Sequence, residues 1–235
     1  MKKTWALSAA IHRRGGCTSV AEARAVIGRQ VAETLIAEGE PGDRVSWLRA
    51  LNGALRAARG PLVLLLSADV RVTPAALAAM ARRLSEHPDV GAVGPVLIGG
   101  DGARRRCFGR FYWPDWVPAT RTLRVPLLSL SCLMTRADVV REIGVLRDDL
   151  LLPPNEEYEW CARLAKAGYR LERVPERVVC RDASPQPVDP VIDAQRGFLY
   201  LAQSLRERPA RAARSAAEAE DEGARAAAPM PVRAR

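Results

Sequence analysis

Residues 52–69, NGALRAARGPLVLLLSAD, decide the fold of this chain. A helical pattern ends at Gly60, and residues 61–66 follow as an unbroken apolar run that leads into Ser67, Ala68 and Asp69. Such a run predicts a central strand covered on both faces, which is typical of a parallel sheet. Ligands of open α/β sheets bind at the carboxyl ends of the strands, so Asp69 marks a candidate site.

Helix and strand patterns alternate along the chain on both sides of this central strand. We predict strands at 4–11, 33–37, 61–66, 90–98, 125–134 and 170–180. Asp43, Thr73 and Asn155 are suited to cap the helices that they precede. The alternation predicts one α/β domain over residues 1–190, with a mixed sheet.

Composition restricts the class of protein. The chain has 235 residues, 48% of them hydrophobic, which suffices for a core without covalent staples. Its 5 cysteines include no CxxC pair, which argues against a disulfide framework or a zinc knuckle and favours a reducing cytoplasm. We expect neither a signal peptide nor a transmembrane helix, because no apolar run is long enough or suitably flanked.

The net charge of +9 favours anionic partners. Specific nucleic-acid binding is not expected, because the chain has no RRM, KH or helix-turn-helix signature. Residues 191–235 are predicted to form a C-terminal helix and a basic tail rich in alanine and arginine. This tail is suited to peripheral contact with an anionic membrane at the inner face, and a solvated end with no partner is the alternative.

Two sets of motifs carry a resemblance to a known family. The first set is Asn52-Gly53, then residues 67–70 (SADV), Pro74, and residues 90–95 (VGAVGP). The second is SCLMTR at 131–136 and EEYEWCAR at 156–163. In order and spacing these motifs resemble the family 2 glycosyltransferases of the GT-A fold, in particular rhamnosyltransferases. The resemblance implies a Rossmann-like mixed sheet, mostly parallel and flanked by helices.

The resemblance also implies an activity on the donor side. Such a transferase, of the hexosyltransferase type, moves a sugar from a nucleotide diphosphate sugar to an acceptor hydroxyl and inverts the anomeric centre. Asp69 would hold a divalent cation, Mg²⁺ or Mn²⁺, against the diphosphate, and Ser67 in place of the family's first Asp implies weak binding. Glu38 and Asn52 would also lie on the donor side. The alternative for Asp69 is that it only ends a strand and caps the turn.

On the acceptor side the resemblance makes Glu157 the catalytic base. Glu156, Trp160, Arg163 and Trp113 would line the acceptor, which we expect to be a glycan, a small molecule or a lipid-linked hydroxyl. Two alternatives stay open. Acidic residues after a capping Asn155 also favour a helix start, and Trp113 suits a hydrophobic plug as well as a sugar platform.

Several positions depart from the family pattern. The catalytic Asp is replaced by Glu157, and the family's late His is absent, with Cys180 near its place. These departures define a second hypothesis, a catalytically degenerate member that binds nucleotide sugar or a partner enzyme. His12, at the end of the first predicted strand, could edge a nucleotide pocket but is interpreted as a polar loop residue.

Overall fold

The computed structural model describes residues 6–13, 20–28, 30–40, 42–99, 121–148 and 155–180. Our predictions for Trp113 and for the tail at 191–235 fall outside these residues. The division into a domain at 1–190 and a tail therefore stays a prediction.

Five helices and eight strands make up the described part. The helices are α1 (Val20–Ile27), α2 (Arg44–Ala57), α3 (Pro74–Glu86), α4 (Ala137–Ile143) and α5 (Asn155–Lys166). The strands are β1 (Leu7–His12), β2 (Glu33–Ala37), β3 (Leu62–Ser67), β4 (Val70–Arg71), β5 (Val90–Gly99), β6 (Leu123–Arg124), β7 (Cys132–Arg136) and β8 (Arg170–Cys180).

All eight strands belong to one sheet with the order β2-β1-β3-β7-β5-β8-β4, and β6 pairs with β8. Strands β2, β1 and β3 are parallel, and β5 is parallel to β8. Strand β7 runs antiparallel to both β3 and β5, so β3, β5 and β8 share one direction. Strands β4 and β6 run antiparallel to β8, so five of the eight described strands share one direction. The predicted α/β fold with a mixed sheet flanked by helices is confirmed.

The sheet separates two apolar layers. On one face α1 and α3 pack through Ile27, Leu77 and Met80. On the other, α2, α4 and α5 pack through Leu48, Val139 and Leu164. Side chains of β3 alternate between the layers, as a strand period of two requires. The predicted central strand is therefore confirmed with a shift of one residue, because β3 spans Leu62–Ser67 and is buried along its whole length, whereas Pro61 is exposed.

Two of the three predicted caps are confirmed, whereas Asn155 is the first residue of α5 and does not precede it. The Asp43 carboxylate accepts from Val45 N at 2.9 Å and from Ser46 N at 3.2 Å. The Thr73 hydroxyl accepts from Ala76 N at 3.1 Å, and Pro74 follows at the first helical position.

The strand predicted at 125–134 is wrong in its first part. The structure has β6 before this stretch, β7 starting at Cys132, and a loop between them. Leu128 and Leu130 are only 5% and 2% exposed, so the loop packs into the core and keeps its apolar character without strand pairing. Pro126 has no N–H for a sheet ladder, which favours this arrangement.

In the described part of the chain, no helix combines the length and the apolar character that crossing a membrane requires.

Candidate active site

The site lies where β1 and β3 end side by side. His12 and Ser67 are partners in this parallel pairing. Helix α1 follows β1 and the turn that carries Asp69 follows β3, so both segments leave the sheet at the carboxyl ends of these strands. This edge is the usual ligand position in α/β sheets.

Asp69 lies in the turn directly after β3. Its Oδ2 accepts a hydrogen bond from the Cys180 thiol at 2.9 Å, while its Oδ1 is buried and has no hydrogen-bond partner among the described residues. A buried carboxylate oxygen without a partner is costly unless something binds it. The Asp69 carboxylate is therefore suited to be one protein ligand of a divalent cation. Among the described residues, no group of three His, Cys, Asp or Glu side chains could hold a metal alone.

The main chain at residues 130 and 131 connects the two halves of the site. Ser67 N donates to Ser131 O at 2.8 Å. The His12 ring nitrogen Nε2 lies 2.9 Å from Leu130 O, and Leu130 N donates to Glu157 Oε1 at 3.2 Å. One short segment therefore holds the end of β3, the end of β1 and the predicted base.

His12 is a functional candidate that sequence reasoning underrated. It is not a polar loop residue, because it is 2% exposed and its ring packs edge-on to Trp47 at 5.4 Å between centroids. The available signal was its place at the end of a parallel strand next to the strand of Asp69.

The two neighbouring glutamates of α5 have different surroundings. The Glu156 side chain is fully buried and pairs with Arg44 at 2.6 Å, which ties α5 to the start of α2. Glu157 is 4% exposed and faces the Leu130 segment. Burial, aided by the charges of Glu157 and Glu159, raises the pKa of the Cys161 thiol to about 12. That thiol is accordingly protonated and inert at neutral pH.

Three further predicted residues meet at the turn after α4. The Asn52 amide donates to Leu146 O at 2.7 Å and accepts from Leu146 N at 2.9 Å. Trp160 Nε1 donates to Gly144 O at 2.9 Å, and Arg163 Nη2 donates to Val145 O at 2.7 Å. We call Asn52, Trp160 and Arg163 the turn clamp, because their polar groups hold residues 144–146.

The contacts of the turn clamp differ from the roles that the sequence analysis assigned to these three residues. We assigned Asn52 to the donor and Trp160 and Arg163 to the acceptor, whereas the structure engages all three with the main chain. Their contacts with substrate stay predictions. Glu38 follows β2 as an exposed loop residue at the same edge of the sheet, and its donor role also stays a prediction.

Comparison with known proteins finds a sequence similarity over part of the chain and a similarity of fold over most of it. Residues 42–143 match the model described as glycosyl transferase family 2, and no curated protein matches the chain by sequence. Among solved structures, GalNAc-T7 with UDP, GalNAc and Mn²⁺ is similar at 14% identity and a TM-score of 0.53, over 81% of this chain. The mannosyltransferase PcManGT from Pyrobaculum calidifontis, in complex with GDP-Man and Mn²⁺, is similar at 16% identity and a TM-score of 0.55 over 88%. TarS from S. aureus is similar at 10% identity and a TM-score of 0.52 over 84%.

The chain spans 46%, 66% and 71% of the lengths of these three solved chains. At these identities the similarity shows the fold alone. The chain thus has the fold of the GT-A glycosyltransferases, and its residues 42–143 carry the sequence pattern of glycosyl transferase family 2.

Proposed function

We propose that this protein transfers a sugar from a nucleoside diphosphate sugar to an acceptor hydroxyl, with inversion at the anomeric carbon. The observation that carries the proposal is the segment at 130 and 131. It hydrogen-bonds the Glu157 carboxylate on one side and the strand end that leads to Asp69 on the other. A donor at Asp69 and an acceptor at Glu157 would therefore approach one edge of the sheet from two sides.

Glu157 is the proposed general base. Its carboxylate would take the proton of the acceptor hydroxyl as the acceptor oxygen bonds to the anomeric carbon. The bond from that carbon to the diphosphate breaks on the opposite face, and the nucleoside diphosphate leaves with the electron pair. The hydrogen bond from Leu130 N fixes Oε1 without protonating it.

Asp69 is the proposed protein ligand of the cation, Mg²⁺ or Mn²⁺. The buried, unpartnered Oδ1 supports this role, and Mn²⁺ accompanies nucleotide or nucleotide sugar in two of the similar structures. Such a cation would neutralise the charge that develops on the diphosphate. With one carboxylate and Ser67 in place of a second, we expect the donor phosphates to supply most of its other ligands.

A second candidate function is donor binding without catalysis. The 4% exposure of Glu157 favours it, because a base must reach the acceptor proton. Ser67 in place of a carboxylate favours it as well. In either case we propose a cytoplasmic protein, and for the transferase we propose that the acceptor is a glycan, a small molecule or a lipid-linked hydroxyl.

One experiment tests both functions. The full chain is incubated with a panel of nucleotide sugars, with and without Mn²⁺ or Mg²⁺, and read by thermal shift and by release of nucleoside diphosphate. We expect one donor both to raise the melting temperature and to be turned over when an acceptor is present. Stabilisation without release under any condition supports the non-catalytic function, and no stabilisation by any donor contradicts both.

A further inference from the structure

Cys180 lies beside Asp69, although the two are far apart in sequence. Cys180 Sγ is 2.9 Å from Asp69 Oδ2, and Cys180 is 5% exposed. On the same carboxylate, Oδ1 is buried and has no hydrogen-bond partner in the described part of the chain. A sulfur atom and an unsatisfied carboxylate oxygen therefore lie together at the edge of the sheet that carries the candidate site.

The sheet fixes this arrangement. Cys180 ends β8, where it is paired with Gly99 of β5 on one side and with Val70 of β4 on the other. Because Val70 directly follows Asp69, the β4 and β8 pairing holds the thiol next to the carboxylate. The contact between Cys180 and Asp69 is thus set by the register of main-chain pairing between β4 and β8. A change in side-chain conformation elsewhere on the surface would not remove it.

We propose that Cys180 and Asp69 form a thiolate and carboxylate ligand pair for the divalent cation, and that this pair selects a cation with affinity for sulfur, such as Zn²⁺ or Co²⁺, over Mg²⁺. The proposal rests on the proposed function, because the phosphates of a nucleoside diphosphate complete the ligand set, and it changes the preferred cation of that function from Mg²⁺ to a metal that also binds sulfur. Cys180 contributes as its thiolate, and its proton passes to solvent.

The chemistry of the two ligands supports this selectivity. Thiolates favour Zn²⁺ and disfavour Mg²⁺, which takes hard oxygen ligands. Zinc accepts sulfur and carboxylate oxygen together in protein sites. Since two side chains alone make a weak site, cation binding is expected to depend on nucleotide. This agrees with the finding that no group of three such side chains occurs in the described ranges.

The competing role of Cys180 is that of a hydrogen-bond donor to Asp69. Absorption spectroscopy of the full chain with Co²⁺ and UDP, or Co²⁺ and GDP, separates the two roles. A bond from thiolate to Co²⁺ gives an intense near-ultraviolet charge-transfer band, which a hydrogen-bonded thiol does not give. We expect this band in the wild-type protein only when nucleotide is present.

Cys180→Ser is the decisive variant, because it keeps a donor for Asp69 but removes the sulfur. We expect it to lose the band and to bind Zn²⁺ with UDP or GDP more than about tenfold more weakly, with Mg²⁺ affinity nearly unchanged. Cys132→Ala is the matched control, since Cys132 is a second buried thiol at the start of the neighbouring β7. It should keep the band.

Three outcomes overturn the proposal. The first is a wild-type protein that binds Co²⁺ and nucleotide by calorimetry without the band, a result that needs no variant and leaves the proposed function intact. The second is a band that survives in Cys180→Ser. The third is no binding, with any cation, of UDP, GDP or any other nucleoside diphosphate of the donor panel, which contradicts the proposed function together with the ligand pair.

Discussion

The Glu157 carboxylate is the single group on which the proposed transfer depends most directly. Glu157→Gln keeps an oxygen that can accept from Leu130 N but cannot take a proton. We expect turnover to be lost while donor affinity, measured by calorimetry, stays at the wild-type value. Glu157→Asp should lower kcat by about two orders of magnitude, because a shorter side chain withdraws from Leu130 and from the acceptor.

Glu159→Gln is the control for these two variants. Glu159 lies on the same helix and pairs with Arg163 instead of the 130–131 segment. Its turnover should stay near the wild-type rate. Unchanged turnover in both Glu157 variants would remove Glu157 from the mechanism and leave it a role in helix α5 alone.

Asp69 can be tested without disturbing its neighbours. Asp69→Asn retains an acceptor for the Cys180 thiol but loses the charge. We expect UDP or GDP binding to lose its dependence on Mn²⁺ in a calorimetric titration. Ser67→Asp should tighten Mn²⁺ binding, because it adds a second carboxylate oxygen. Wild-type Mn²⁺ dependence in Asp69→Asn would be incompatible with a cation at this residue.

At the scale of elements, the turn clamp holds α2, α4 and α5 together. Asn52 is 3% exposed and serves both main-chain groups of Leu146. Asn52→Ala leaves a buried N–H and C=O unsatisfied, so we expect a loss of about 3 kcal/mol in the free energy of unfolding. Urea unfolding followed by circular dichroism measures it.

Gly53→Ala is a matched control in the same helix. A methyl group at Gly53 would meet nothing within 4 Å, and the residue is exposed. Because Ala is the better helix former, this variant should gain about 0.5–1 kcal/mol. Equal stability of Asn52→Ala and wild type would show that water replaces the amide.

The edge of the sheet carries a pH-dependent contact. Glu33 of β2 accepts from the Ser8 hydroxyl at 2.6 Å and from Arg59 Nε at 2.9 Å. The Ser8 hydrogen bond, followed by Arg59, lowers the pKa of Glu33 from 4.5 to about 2. Because the pKa of Glu33 is lower in the folded chain than in the unfolded chain, its carboxylate stabilises the fold at any pH above the unfolded-state pKa. This stabilisation is lost as the pH falls through the folded-state pKa.

We therefore expect the wild-type protein to have a higher free energy of unfolding than Glu33→Gln, with the full difference above about pH 5 and a shrinking difference between about pH 5 and pH 2. Urea unfolding of both proteins at several pH values measures this difference. A difference that does not vary with pH across this window would show that Glu33 is not held as a carboxylate by Ser8 and Arg59.

At the scale of the whole molecule, the charge of +9 predicts attraction to anionic surfaces. Removal of residues 206–235 takes away seven arginines, at 206, 208, 211, 214, 225, 233 and 235, and five acidic residues, at 207, 218, 220, 221 and 222, so the net charge falls from +9 to +7. We expect transfer to a soluble acceptor to be unchanged and sedimentation with phosphatidylserine vesicles to fall, since each basic residue near such a surface contributes about 1 kcal/mol. Raising the salt concentration should weaken binding of the full chain similarly. Equal vesicle binding by both proteins would rule out a membrane role for the tail.

The sequence by itself determined the order of the six longer strands, the buried central strand and the caps at Asp43 and Thr73, but it did not predict the two-residue strands β4 and β6. These features arise from hydrophobic period and from capping chemistry, both of which act within a few residues. The same local reasoning failed at 125–131, where an apolar stretch is a buried loop. A hydrophobic pattern alone cannot distinguish a buried loop from a buried strand, because the difference is whether the backbone pairs with a neighbouring strand.

Only the tertiary structure decided which side chains meet. Asp69 and Cys180 are 111 residues apart, His12 and Leu130 are 118 apart, and Asn52 and Leu146 are 94 apart. Each of these contacts is set by strand order and by the register of pairing, which depend on the whole sheet. The sequence could therefore mark Asp69 and Glu157 as candidates, whereas the thiol beside Asp69 and the peptide that joins His12 to Glu157 required the folded chain.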